Sequence, residues 1–107
     1  MAIRYFKCHT LPYPCYSLSA TTTDASSVDL AWQNGPPGES TPTAHIEYAT
    51  VAASTSTTVA TVSGTLQTAK VTGLAVVSPT DYQFRIRREN TAGFGEWTPY
   101  ATVTVTP

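Results

Sequence analysis

The side chains able to do chemistry are few and widely spaced. His9 and His45 are the two histidines, and neither stands beside a serine or cysteine in a nucleophile motif. A general base must reach its proton donor across one hydrogen bond, so no Ser–His–Asp relay can be assembled from this spacing. His45 falls on the outward parity of its strand and reads as a solvated surface residue. The seven carboxylates, Asp24, Asp29, Glu39, Glu47, Asp81, Glu89 and Glu96, are spread over turns and outer faces. Glycoside hydrolysis needs two carboxylates facing one another, and nothing pairs them. Cys8, His9 and Cys15 are three candidate ligands, but a structural zinc takes about four and the chain offers no convincing fourth. The expectation is therefore no enzyme, no cofactor and no metal. Cys8 and Cys15 are candidates for a disulfide whose short loop, stiffened by Pro12 and Pro14, would stabilise by about 2–3 kcal/mol. Two free thiols are the alternative, according to redox compartment.

Composition narrows the partners. With 107 residues the chain supports one hydrophobic core and no more. A net charge of -1, with only 12% of residues charged, gives no basic field to attract nucleic acid or anionic lipid. Arg85 and Arg87 line one outer strand face, which reads as solvated surface. No stretch approaches the roughly 20 apolar residues of a membrane span, so no membrane insertion is expected. The opening residues are mildly basic but lead into Cys8, His9 and Pro12 in place of an apolar run, so no signal peptide is seen.

The elements that must position these groups are strands. No window keeps apolar residues at helical spacing, and β-branched residues dominate. Val28, Leu30 and Trp32 share one face of an alternating run, as do Ile46 and Tyr48. Strands are expected at Tyr16–Thr21, Val28–Trp32, Ala44–Tyr48, Thr57–Val62, Leu66–Leu74, Tyr82–Glu89 and Tyr100–Thr106. Between them lie turn-forming clusters such as Asn34-Gly35-Pro36-Pro37-Gly38, Ser63-Gly64, Ser78-Pro79 and Ala92-Gly93-Phe94-Gly95. Such spacing, without helical patterns between, favours a sandwich or barrel.

Trp32 is followed by a Gly/Pro-rich loop and by Ile46-x-Tyr48. Later come Thr80-Asp81-Tyr82-Gln83-Phe84-Arg85-Ile86 and Asn90-Thr91-Ala92-Gly93-Phe94-Gly95-Glu96-Trp97. In this order, from Leu18 to Thr106, the landmarks resemble a fibronectin type III domain. The resemblance implies an all-β fold, a seven-stranded antiparallel Greek-key β-sandwich over residues 16–107; residues 1–15 extend beyond the family pattern as an N-terminal aromatic arm. Trp32 is expected to span the gap of about 10 Å between sheets. Tyr82 is expected beside it in the interior, as a tyrosine corner whose hydroxyl returns to upstream backbone. The disulfide-pinned immunoglobulin pattern does not fit, because Cys8 and Cys15 both precede Trp32 and position 84 is Phe. Leu74-Ala75-Val76-Val77-Ser78-Pro79 is longer than the family's usual run, so either Leu74 or Val76 caps the core. Arg88 falls on the inward parity and is expected at the rim, with its stem packed and its head wet.

Two places suggest binding. Tyr5, Phe6 and Tyr13, with Tyr16, make the arm densely aromatic, and exposed aromatics favour burial against something. Two readings stand: an added edge strand packed on its own domain, or an arm docked on a neighbouring subunit. Phe94 is a contact candidate in a loop of the kind that carries recognition, whereas Trp97 is expected to cover the edge of the core. Domains of the resembled family act as spacers, adhesion units and protein-binding surfaces, and occur on virion proteins and secreted bacterial enzymes. The chain opens on Met and closes with its last strand, which fits a complete small product as well as an excised domain. The expected role is a non-catalytic structural and protein-binding module on a virion surface or in the extracellular space. The leading case is a bacteriophage head-decoration or tail component that contacts neighbouring capsid or tail subunits through residues 1–15. The alternative is a spacer or binding module of a secreted multidomain enzyme or adhesin. On the docking reading, deleting residues 1–14 leaves a folded monomer that no longer assembles.

Overall fold

Alternation sorts the chain into an interior and two outer faces. Val28, Leu30 and Trp32 are buried, as are Ala44 and Ile46, and then Tyr82, Phe84 and Ile86. Each set follows the two-residue period of a strand with one face covered. The computed structural model describes residues 10–52 and 58–107. Among these lie β1 (Tyr16–Asp24), β2 (Ser27–Gln33), β3 (Thr43–Thr50), β4 (Thr58–Ser63), β5 (Thr68–Val71), β6 (Thr80–Asn90), β7 (Gly93–Phe94) and β8 (Ala101–Val105). One sheet runs β1-β2-β5 and the other β4-β3-β6, with β7 and β8 both on the far edge of β6. All pairings are antiparallel.

Seven of these strands answer to the seven expected ones. The eighth, β7, arises because the final strand is interrupted. Glu89 faces Phe94 and Phe84 faces Ala101, so the partner strand carries extra residues between the two pairs. The gap is bridged by Gly95 and Thr98, whose N–H groups donate to Arg88 O at 2.8 Å and Ile86 O at 2.9 Å. The Ile86 N–H in turn donates to the Thr98 hydroxyl at 3.0 Å. β5 is shorter than expected, because Leu66 is held in a turn by its N–H bond to Ser63 O at 3.2 Å. Leu74 is the cap of the core, its N–H donating to Ser26 O at 3.0 Å, while Val76 packs partly against the same cluster.

Trp32 and Tyr82 belong to one hydrophobic cluster but stand towards opposite ends of it. Arg88, which contacts the loop directly after Trp32, is six residues along β6 from Tyr82, a distance of about 20 Å in a strand. Trp32 is tied locally: its indole N–H donates to Asn34 Oδ1 at 2.9 Å, and Asn34 Nδ2 donates to Leu66 O at 2.9 Å. Tyr82 is 9% exposed, and its ring stacks on Phe84 at 6.4 Å. Among the described residues no hydrogen bond joins its hydroxyl to upstream backbone, so its ring supplies its anchoring.

Arg88 departs most from expectation. It is 3% exposed, because residues 10–15 and the loop at 34–39 close over it. Its Nη2 donates to Gly35 O at 2.7 Å, Pro36 O at 2.9 Å and Tyr13 O at 3.1 Å. Asn90 repeats the clamp one pleat further on, donating to Thr10 O at 2.8 Å and Pro37 O at 3.1 Å. The two backbones also pair directly, Tyr13 N–H to Pro36 O at 2.9 Å and Glu39 N–H to Thr10 O at 3.1 Å. Gly38 permits this approach: its φ is 81°, and a Cβ there would meet Leu11 O at 2.7 Å. Residues 10–15 thus pack on their own domain, without forming a strand. Residues 1–9, with Tyr5, Phe6, Cys8 and His9, lie outside the described residues. Truncation through residue 14 would take Tyr13 O from Arg88 and Thr10 O from Asn90, so it is expected to destabilise the domain where the docking reading expects an intact monomer.

Cys15 closes this end of the core as a buried free thiol. Its expected partner in a disulfide, Cys8, is outside the described residues. Burial pushes the Cys15 thiol up, partly offset by the nearby Arg88 charge and its hydrogen bond. Since folding favours the protonated form, its contribution to stability is complete below the unfolded thiol value of about 8.5 and is lost as pH rises through the folded value. In reducing buffer, wild-type stability is expected to fall more steeply above that pH than that of Cys15→Ala; parallel curves would reject this. Replacing Arg88 by Met, which orphans buried carbonyls, is expected to cost about 2–4 kcal/mol in denaturant unfolding.

Candidate functional site

The outward face of β6 carries a set of side chains engaged with one another. Gln83, Arg85, Arg87 and Glu89 alternate with the buried positions. Register places Arg85 opposite Glu47 and Arg87 opposite His45 on β3. On the other side, the interrupted final strand projects Phe94, Trp97 and Tyr100 across the two arginines. The Arg85 guanidinium lies 4.3 Å from the Trp97 ring centre and 5.1 Å from that of Tyr100. The Arg87 guanidinium lies 3.9 Å from Phe94 and 4.3 Å from Trp97. The result is a ladder in the order Phe94, Arg87, Trp97, Arg85, Tyr100, in which cation and ring faces alternate.

Charge pairing around the ladder is uneven. Glu47 Oε1 accepts from Arg85 Nε at 2.8 Å and from its Nη2 at 2.7 Å. Glu89 Oε1 contacts His45 Nε2 at 3.0 Å, and the His45 ring tilts against Phe94 at 5.3 Å. Arg87 has no carboxylate and no hydrogen bond among the described residues, and its Nε is covered without a partner. Large apolar groups nevertheless remain open on the same side: Phe94 is 42% exposed, Tyr100 47% and Val59, across the sheet on β4, 54%.

Several expectations change here. Trp97 lies between two guanidiniums on the outer face and does not cover the edge of the core; buried Thr98 takes the inward position. His45 is half-buried and engaged, not simply solvated. Arg85 and Arg87 form a braced array, where a loose solvated face was expected. Phe94 stands at one end of the ladder. Tyr13 is exposed on the clamped segment, and no ring contact brings it to Phe94. Glu47 and Tyr100 were not singled out from the sequence; rings at 94, 97 and 100 after Arg85-x-Arg87 are a signal for Tyr100, whereas Glu47 is found through the register of β3 against β6. Among the described residues, no three His, Cys, Asp or Glu side chains gather where they could hold a metal ion. Removing the shared rung by Trp97→Leu is expected to cost about 1–2 kcal/mol and to free Arg85 and Arg87 side-chain motion in NMR relaxation. Unchanged stability and unchanged motion would show that the ladder is not a structural unit.

No protein-family model matches the sequence, and no curated protein matches it. Solved structures do. The chain is similar to the FN1-FN3 domains of chicken CNTN1, with a TM-score of 0.79 and 16% identity over 92% of this chain and 33% of that one. A segment of titin domains gives 0.76 at 19% identity, over 91% of this chain and 33% of that one. An FN3 domain of human collagen XX gives 0.69 at 23% identity, over 97% of this chain and 99% of that one. The chain therefore spans about a third of the length of the CNTN1 and titin chains. Two antiparallel sheets and these neighbours together make the fold that of a fibronectin type III domain.

Proposed function

We propose that the chain is a non-catalytic protein-binding module whose working surface is the outer face of β4, β3, β6, β7 and β8. We further propose that it serves on a virion surface or in virion assembly, as a head-decoration or tail component. The observation that carries the binding role is the ladder itself. Phe94 and Tyr100 are held exposed at its two ends by stacked guanidiniums. Large rings already fixed in position lose little conformational freedom when a partner covers them, which is how hot-spot residues act. The virion setting draws support from the low charge and the aromatic content of the first residues, which favour lasting contacts over electrostatic steering. With residues 10–15 engaged on their own domain, the arm that reaches a neighbouring capsid or tail subunit is reduced to residues 1–9.

A second reading has a specific observation in its favour. The CNTN1 and titin structures are longer chains of which this one spans about a third, as a spacer or binding module of a secreted multidomain enzyme or adhesin would span part of its parent. The mass of the native product separates the two: a free chain near 11.4 kDa supports the virion component, and a much larger parent the spacer. For the binding face, Phe94→Ala with Tyr100→Ala is expected to keep the wild-type circular dichroism while weakening co-sedimentation with native particles by at least tenfold, about 1.4 kcal/mol. Deleting residues 1–9 is expected to abolish assembly without unfolding. Full assembly by both variants would reject the proposal.

A further inference from the structure

Resting on the binding face just described, the geometry points to Arg87 as a receptor for an acidic side chain of a protein partner. Among the described residues, two guanidiniums and one imidazole lie on that face: Arg85 is paired with Glu47, and His45 Nε2 contacts Glu89 Oε1. Arg87 sits directly opposite His45 in the register, so the nearest cross-strand position supplies no negative charge, and Glu89 is engaged by His45. No nitrogen of Arg87 makes a hydrogen bond among the described residues. Its Nε is fully covered and unpartnered, and the terminal nitrogens are unpartnered without being fully covered. A guanidinium carries five N–H donors in a planar fork that matches a carboxylate edge-on. Its contacts with the faces of Phe94 and Trp97, at 3.9 and 4.3 Å from the ring centres, use none of those donors.

Charge complementarity therefore selects the occupant. A partner that covers Phe94 and Arg87 without a carboxylate would bury an unmatched cation, whose desolvation opposes binding. A partner that brings Asp or Glu gains a bidentate pair in a site where neither ring nor guanidinium has to reorganise. The exposed Phe94, Val59 and Tyr100 require apolar residues flanking that carboxylate. The partner segment is thus an acidic residue set among aliphatic ones.

The test uses an N-acetylated, amidated peptide alternating Leu and Glu, beside the same peptide with Gln for Glu and one with phosphoserine for Glu. Binding is followed by NMR on the full chain, reading the Arg87 and Arg85 Nε–H signals and the Trp97 indole. The Glu peptide is expected to shift Arg87 and Trp97 saturably and Arg85 much less, and to bind about 10- to 100-fold more tightly than the Gln peptide. Arg87→Gln should remove that preference, and Arg87→Lys should restore only part of it, because an ammonium lacks the planar fork. Circular dichroism establishes that both variants are folded. Equal affinity for the Glu and Gln peptides, tighter binding of the phosphopeptide, or shifts that grow with protein concentration alone would each overturn the assignment. If native assembly falls with Phe94→Ala but not with Arg87→Gln, the face binds without the carboxylate and only this inference fails. If neither variant affects it, the binding face itself is wrong.

Discussion

The pleat of β6 is the constraint on which both interior and surface depend. The strand is held on one edge by β3 and on the other by β7 and β8, so every residue has an assigned face. Tyr82, Phe84 and Ile86 enter the core; Arg85, Arg87 and Glu89 leave it. A slip of one residue would exchange them. Each large apolar side chain moved to water forfeits about 1.5–3 kcal/mol, and each charge moved inward adds a desolvation penalty of several more, so the register has no close competitor. The ladder inherits its spacing from this register. Alternate residues of a strand are separated by about 6.8 Å, roughly twice the thickness of one aromatic layer, and Trp97 fills that gap at 4.3 Å from each guanidinium.

What could be read from the sequence is what alternation governs. The buried faces of β2, β3 and β6, the outward direction of Arg85 and Arg87, and the number of long strands all follow from period two and from turn residues. What escaped depends on contacts between distant parts of the chain. Parity sends Arg88 inward, but nothing in its neighbourhood says that Tyr13, 75 residues earlier, will lie over it. Trp97 escaped for a different reason. The final strand loses its regular pairing between Phe94 and Ala101, and once the period breaks, the face of a residue cannot be counted from its neighbours. Glu47 was legible only after the register of β3 against β6 was known.

The clamp on the inward face of the same end of β6 shows how residues 10–15 become part of the domain. Segment 10–15 adds no strand and no apolar layer of consequence. It adds carbonyl oxygens, and those of Tyr13 and Thr10, with three from the loop at 34–38, converge on Arg88 and Asn90. Carbonyl dipoles directed at a cation replace part of the water it lost, and the Gly/Pro-rich loop is what lets two backbones come close enough to supply them. Cys15 ends this segment, and its thiol is buried in the core beside Arg88.

Arg87 and Arg88, adjacent in sequence, resolve their charge in opposite ways. Arg88 uses hydrogen-bond donors and gives up contact with water; Arg87 lies against the faces of two rings and keeps donors unspent. Stacking and hydrogen bonding draw on different parts of the same group, one perpendicular to the plane and one within it. A side chain can therefore be immobilised by the first without exhausting the second. A salt bridge such as Arg85 with Glu47 both fixes a guanidinium and commits donors, whereas the rings around Arg87 only fix it. Rigidity and unused binding capacity, which usually compete on a protein surface, coexist on this face because they are carried by orthogonal directions of one planar cation.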